Sequence, residues 1–171
     1  MKINFLKSSL ANIHSKPSSN SEILSQILHG EKFRILNNKK NWIKIKTNYD
    51  NYIGYIKKDD FYENFKPKLK IFKLKSKIFI KKNNKFLPTK KHLYFASGIS
   101  ILNKDKNFIE FKKNNWIKKS DTKKISYHEK DFVKIFKLFL NSKYLWGGKT
   151  SNGIDCSALI QIYFYYNRIF F

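Results

Sequence analysis

The sequence predicts an α+β chain in which two small, similar β-barrels precede a short helical region. Three observations lead there. Residues 1–124 carry a weak internal repeat; both copies alternate apolar and polar residues as half-buried strands do; and a glycine-rich turn lies between two helix-like stretches near the C-terminus.

The repeat is read off by self-alignment. Gly30-Glu31-Lys32-Phe33-Arg34-Ile35-Leu36 matches Ala96-Ser97-Gly98-Ile99-Ser100-Ile101-Leu102 at an offset of 66 residues. At the same offset Asn41-Trp42-Ile43-Lys44-Ile45-Lys46 falls on Asn107-Phe108-Ile109-Glu110-Phe111-Lys112. Gly54-Tyr55-Ile56-Lys57-Lys58-Asp59-Asp60 then meets Asn115-Trp116-Ile117-Lys118-Lys119-Ser120-Asp121 at an offset of 61, so five residues have been lost from the hairpin around Thr47 to Tyr52. Turns tolerate such changes of length. Each copy is expected to close into a small barrel, residues 1–62 and 63–124. Trp42 and Trp116 read as core, because an aromatic in an alternating strand is more often packed than exposed.

Residues 125–171 have a different character. Ser126-x-x-Glu129 reads as a capping box opening a helix whose apolar face is Phe132, Ile135, Phe136 and Phe139. Three of the six glycines, Gly147, Gly148 and Gly153, then fall within seven residues. Beyond them, Cys156 to Tyr166 is mostly apolar and free of glycine, which suits a buried helix with Asp155 as N-cap. A thiol in the first turn of a helix feels the positive end of the macrodipole and amides without partners, which favour thiolate and can receive an oxyanion. The alternative is that Cys156 is one more small buried hydrophobe.

The net charge of +24 invites a nucleic-acid reading, but 34 of the 36 basic residues are lysine, and arginine is the residue suited to bidentate phosphate and base contacts. Lys, Ile, Asn, Phe and Tyr make up 100 of the 171 residues and all have AT-rich codons, so nucleotide bias accounts for the lysines, spread over solvated faces. No phosphate loop or zinc-ligand spacing appears, and no cofactor, metal or nucleic acid is expected. Ile3-Asn4-Phe5-Leu6-Lys7 is interrupted too soon to be a signal-peptide core, and no apolar run reaches spanning length, so neither export nor a membrane is expected. The single cysteine rules out an intrachain disulfide and suits a reducing, cytoplasmic compartment.

Two resemblances sharpen this reading. Ala11-Asn12-Ile13-His14-Ser15-Lys16-Pro17-Ser18, with Ile23-Leu24, Gly30, Trp42 and Gly54-Tyr55-Ile56, resembles a bacterial SH3 domain of the cell-wall type, and the second copy does so less closely. Tyr144-Leu145-Trp146-Gly147-Gly148, then Gly153-Ile154-Asp155-Cys156-Ser157-Ala158-Leu159-Ile160-Gln161, resembles the nucleophile segment of the NlpC/P60 family, papain-like cysteine peptidases that cut peptidoglycan stem peptides. The resemblance implies two SH3-like barrels followed by the N-terminal helical part of a papain-like domain. It implies that Cys156 attacks the scissile carbonyl, that Tyr144 lies near the oxyanion, and that Asp155 and Ser157 help hold the free amine of the substrate's L-alanine. The order of domains is similar to that of γ-D-glutamyl-L-diamino-acid endopeptidases, whose ligands are peptidoglycan-derived peptides.

One part of the pattern is missing. The family takes its histidine base from a strand well downstream of the cysteine, and no histidine follows Cys156 here. His14, His29 and His92 read as surface or strand-end residues, and His128 precedes the first helix. The chain is therefore expected to be an inactive fragment, its remaining catalytic part supplied by a separate polypeptide if at all. Phe164, Tyr165, Ile169, Phe170 and Phe171 are expected to lack packing partners. The runner-up is a module that binds peptidoglycan fragments through its barrels and carries a vestigial catalytic part.

Overall fold

A computed structural model describes residues 2–59 and 61–169. The first module is a single antiparallel sheet. Its strands are β1 (Ile3–Leu6), β2 (Leu10–His14), β3 (Ile23–Leu28), β4 (Lys32–Lys39), β5 (Trp42–Thr47), β6 (Ile53–Lys57) and β7 (Phe61–Tyr62), in the order β3-β2-β6-β5-β4-β1-β7. The second module has β8 (Leu69–Ile71), β9 (Lys75–Lys82), β10 (Lys85–Tyr94), β11 (Gly98–Ile99), β12 (Asn103–Lys104), β13 (Phe108–Lys112), β14 (Asn115–Lys118), a 3-10 turn (Lys119–Asp121) and β15 (Thr122–Lys124).

The duplication holds in three dimensions. Ile43 faces Ile56 across β5 and β6, and the aligned Ile109 faces Ile117 across β13 and β14. The single bridge His14 to Tyr55 reappears as Phe79 to Trp116, and Phe5 to Tyr62 as Lys70 to Lys123. Even the cores correspond side chain by side chain. Leu6, Ile13, Ile27, Phe33, Ile43, Ile45 and Ile56 fill the first module, and Ile71, Ile78, Leu93, Ile99, Ile109, Phe111 and Ile117 take the equivalent places in the second. The strand equivalent to β4 is split into β11 and β12 at residues 100–102, so the second module is two sheets, β10-β9-β14-β13-β12 and β11-β8-β15.

Neither module closes as expected of a barrel: among the described residues β3 and β7 are sheet edges in the first, and the split interrupts the second. Trp116 is buried, but edge-on to Phe86, which in turn stacks on Phe108, and it is not part of the Ile core. Trp42 is only half-buried, edge-on to His14, because Ile43 and Ile45 already occupy the inward positions of β5.

The two modules meet at Gly30. Its φ of +74° lies in the left-handed region, and a Cβ there would stand 2.3 Å from the carbonyl oxygen of Gly98. Beside it, the backbone carbonyl of His29 accepts from Gly98 N at 3.0 Å. His29 is not a surface residue. It is 1% exposed, edge-on to Tyr62, Phe65 and Phe111, with Nδ1 against the carbonyls of Lys7 and Ser8. Burial lowers its pKa to about 4.

The rest of the chain forms α1 (Phe132–Leu138), the two-stranded hairpin β16 (Lys149–Thr150) and β17 (Gly153–Ile154), and α2 (Cys156–Tyr166). α1 starts later than the capping-box reading placed it. Its N-cap is Asp131, which accepts from Val133 N, while Glu129 accepts from the Tyr127 hydroxyl and Asp131 N. Ala158, Ile162, Tyr165 and Tyr166 put one face of α2 into a third core, shared with Leu28 of the first module, Phe95 and Ala96 of the second, and Ile135 and Phe139. Tyr165 is therefore packed, contrary to expectation, and Phe164 is half-buried; Ile169 is exposed, and Phe170 and Phe171 lie outside the described residues. The buried Lys70 reaches the carbonyls of Tyr127 and Tyr166, satisfying an orphan acceptor at the end of α2.

Candidate active site

The site is built around the start of α2. Asp155, with extended φ and ψ, is its N-cap, and its carboxylate accepts three hydrogen bonds. Oδ1 takes Ala158 N at 2.7 Å and the Ser157 hydroxyl at 2.8 Å; Oδ2 takes Gly147 N at 3.0 Å. Cys156 follows, exposed, as the first helical residue. In that first turn the helix leaves amides without intrahelical partners, so the exposed thiol sits beside donors that can receive negative charge.

The glycine turn wraps this cap. Leu145 N donates to Ile154 O, Ile154 N to Lys143 O, Gly148 N to Leu145 O and Asp155 N to Gly148 O. Tyr144 forms a parallel bridge with Ile154, next to the Asp155–Cys156 pair, and its side chain is exposed. Gly147 has φ +68° and packs so closely on the first module that a Cβ would lie 2.6 Å from the Ile23 carbonyl oxygen. Tyr144, Asp155, Cys156 and Ser157 are thus brought together at one surface. The Ser157 proton is committed to Asp155, which leaves the hydroxyl lone pairs as acceptors; the carboxylate has spare acceptor capacity as well. Acceptors and a negative charge beside an exposed thiol suit a ligand that carries an ammonium group.

No histidine joins them. Among the described residues no imidazole hydrogen-bonds the Cys156 thiol: His14 Nδ1 lies 3.2 Å from the Ser21 carbonyl, His29 is enclosed between modules, His92 is on β10, and His128 is exposed before α1. Nor do the described residues include a cluster of side chains able to hold a metal.

What the sequence reading did not find is the grip of the first module on this turn. Trp146 Nε1 donates to Glu22 at 3.0 Å, Lys149 N to Gln26 Oε1 at 2.8 Å, and the Tyr49 hydroxyl faces the Gln161 carbonyl. Lys149 Nζ, fully buried, pairs with Asp50 at 2.7 Å and Glu31 at 3.5 Å. Burial works against the Lys149 charge, but Glu31 and Asp50 more than offset it, and its pKa is raised. Asp50 is held below the usual range by Lys149 in spite of its own burial. Burial raises Glu31. Asp50 and Tyr49 belong to the hairpin loop that the second module lacks, so the five-residue difference between the repeats was the available signal.

Residues 13–61 match the family model described as the bacterial dipeptidyl-peptidase SH3 domain. The whole chain resembles the crystal structure of an NlpC/P60 family protein from Bacillus cereus ATCC 10987, with a TM-score of 0.77 at 16% identity, covering 97% of this chain and 72% of that one. At that identity the likeness is one of fold. The structures of NlpC2 and NlpC1 from Trichomonas vaginalis align at 16% and 17% identity, each over 99% of this chain and over 68% and 64% of theirs, but with TM-scores of 0.35. No curated protein matches the chain by sequence. An SH3-type module followed by a helix, a glycine-turn hairpin and a second helix, on a fold shared with an NlpC/P60 family protein, is therefore the architecture here. The SH3 module is not a detached appendage, since it holds the turn that carries the site.

Proposed function

We propose that this chain carries the nucleophile and amine-binding part of a cysteine endopeptidase acting on peptidoglycan stem peptides, at the bond between γ-D-glutamate and the diamino acid. The observation that carries the reading is the exposed Cys156 at the first turn of α2, capped by Asp155, on a fold shared with an NlpC/P60 protein. In the reaction the Cys156 thiolate adds to the γ-carbonyl carbon. A C–S bond forms, the C–N bond breaks as the leaving amine takes a proton, and water then releases the γ-glutamyl acid from the thioester and restores the thiol. First-turn amides receive the oxyanion, Tyr144 borders it, and Asp155 with Ser157 takes the N-terminal ammonium of L-alanine.

The proton for the leaving amine calls for a general acid that the described residues do not place at the thiol. The chain by itself is accordingly expected to bind the peptide without cutting it, with the acid–base group coming from elsewhere, a separate polypeptide included. We place the reaction in the cytoplasm, where a lone exposed thiol stays reduced. The test uses the full chain and the tripeptide L-Ala-γ-D-Glu-diaminopimelate. The tripeptide should slow alkylation of Cys156 by iodoacetamide, and Ser157→Ala should weaken that protection. An alkylation rate unmoved at saturating tripeptide would defeat the reading.

The alternative of a wall-binding SH3 pair predicts retention of residues 1–124 on peptidoglycan. The peptidase reading predicts little, because it places the ligand contacts at Asp155, Cys156 and Ser157, outside that fragment.

A further inference from the structure

Among the described residues, Lys70 and Lys149 are the two buried lysines in a chain that has 34. Lys70 caps a helix end, whereas Lys149 crosses between parts of the molecule. Its own element is the hairpin strand β16, and both of its carboxylate partners, Glu31 and Asp50, come from the first module. All three are almost free of solvent, with side-chain exposures of 0%, 1% and 3% for Lys149, Glu31 and Asp50. An ammonium group at such depth cannot lose its partner without leaving an uncompensated charge, so the pairing is obligatory once the modules are docked. An apolar residue would have filled the space with no directional demand; an ion pair at 2.7 Å fixes where the main chain of Lys149 must run.

That main chain leads straight to the cap. Lys149 N is anchored on Gln26, and Lys149 pairs with Ile154 in the hairpin. The preceding Gly148 carbonyl accepts from Asp155 N, and Gly147 N donates to the Asp155 carboxylate. We propose that Lys149 is a positioning residue for Cys156: its buried pairing with Asp50 and Glu31 lets the first module set the glycine turn, and through that turn the cap of α2. The proposal rests on the reading of Cys156 as nucleophile but needs no substrate for its test.

The experiment compares Lys149→Met, Asp50→Asn, Asp50→Glu and Leu93→Ala in the full chain. Leu93 lies in the core of the second module, a cluster that contains no residue of the turn, and serves as a control for general loss of stability. Two quantities are read: hydrogen exchange at the Gly147 and Ala158 amides, and the rate of Cys156 alkylation by iodoacetamide near neutral pH. Lys149→Met and Asp50→Asn should speed exchange at both amides by about tenfold or more as the cap frays. They should slow alkylation by roughly threefold, as the first-turn amides withdraw from the sulfur. Asp50→Glu, which keeps the charge, should recover most of the alkylation rate. Leu93→Ala should lower Tm while leaving both readouts unchanged. If Lys149→Met fails to fold, the isosteric Asp50→Asn decides. Alkylation and exchange at wild-type values in Asp50→Asn, or the same changes in Leu93→Ala, would overturn the proposal. A chain that cuts no peptide still answers this question, so failure here is separate from failure of the peptidase reading.

Discussion

At the residue scale, His29 has the most measurable consequence. Its neutral form is favoured in the fold because burial lowers its pKa from 6.5 to about 4, so between those values the folded state binds fewer protons than the unfolded chain. Stability is whole above pH 6.5 and declines as the pH falls toward 4, by about 3 kcal/mol for this group alone. His29→Asn, which keeps a donor for the Lys7 carbonyl, should flatten that part of the profile in urea titrations taken at several pH values. Gly147→Ala should cost about 2 kcal/mol or more, through its positive φ and the Ile23 carbonyl, and should disturb Cys156 more than a core substitution of equal cost. The importance of these glycines was legible in their clustering. That of Lys149 was not, since one buried lysine has no mark that sets it apart from the solvated ones around it.

At the scale of elements, α2 is held at its N-terminus by a single carboxylate. Asp155→Ala removes the cap and the tie to Gly147 together and should lower stability by about 1–2 kcal/mol, read from chemical denaturation, with fraying confined to the first turn in hydrogen exchange. Opposite the cap, Ile162→Ala should cost roughly 2–5 kcal/mol, because Ile162 is wholly enclosed where α2 meets the third core. The start of α2 was legible: an aspartate before a glycine-free apolar run marks an N-terminus whatever the tertiary context. The start of α1 was not. Ser126-x-x-Glu129 has the right spacing for a capping box, but Glu129 is engaged by Tyr127, and Asn167 holds its backbone NH and carbonyl; the helix waits for Asp131. Local motifs lose to such long-range contacts because the sequence around them does not show what will pack there.

At the scale of the whole molecule, two copies of one sheet plan have diverged in what they do. The alternating pattern was enough to align them, since period-two burial repeats faithfully in β5 and β13, and β14 departs from the alternation of β6 where Trp116 is buried as well as Ile117. Whether the sheets close was not legible, because strand pairing at edges depends on a few backbone contacts rather than on pattern. The extra hairpin residues of the first copy carry Tyr49 to α2 and Asp50 to the hairpin that precedes Cys156, and the second copy lends Phe95 and Ala96 to the core beneath α2. Both modules therefore support one site around Cys156. The most direct measurement is covalent labelling of the full chain by an electrophilic L-Ala-γ-D-glutamyl ketone, followed by mass spectrometry of the modified peptide. Modification at Cys156, faster for the γ-D-glutamyl reagent than for its γ-L-glutamyl isomer and lost in Cys156→Ala, is the predicted result. Labelling spread over lysines, or equal rates for the two isomers, would contradict the account.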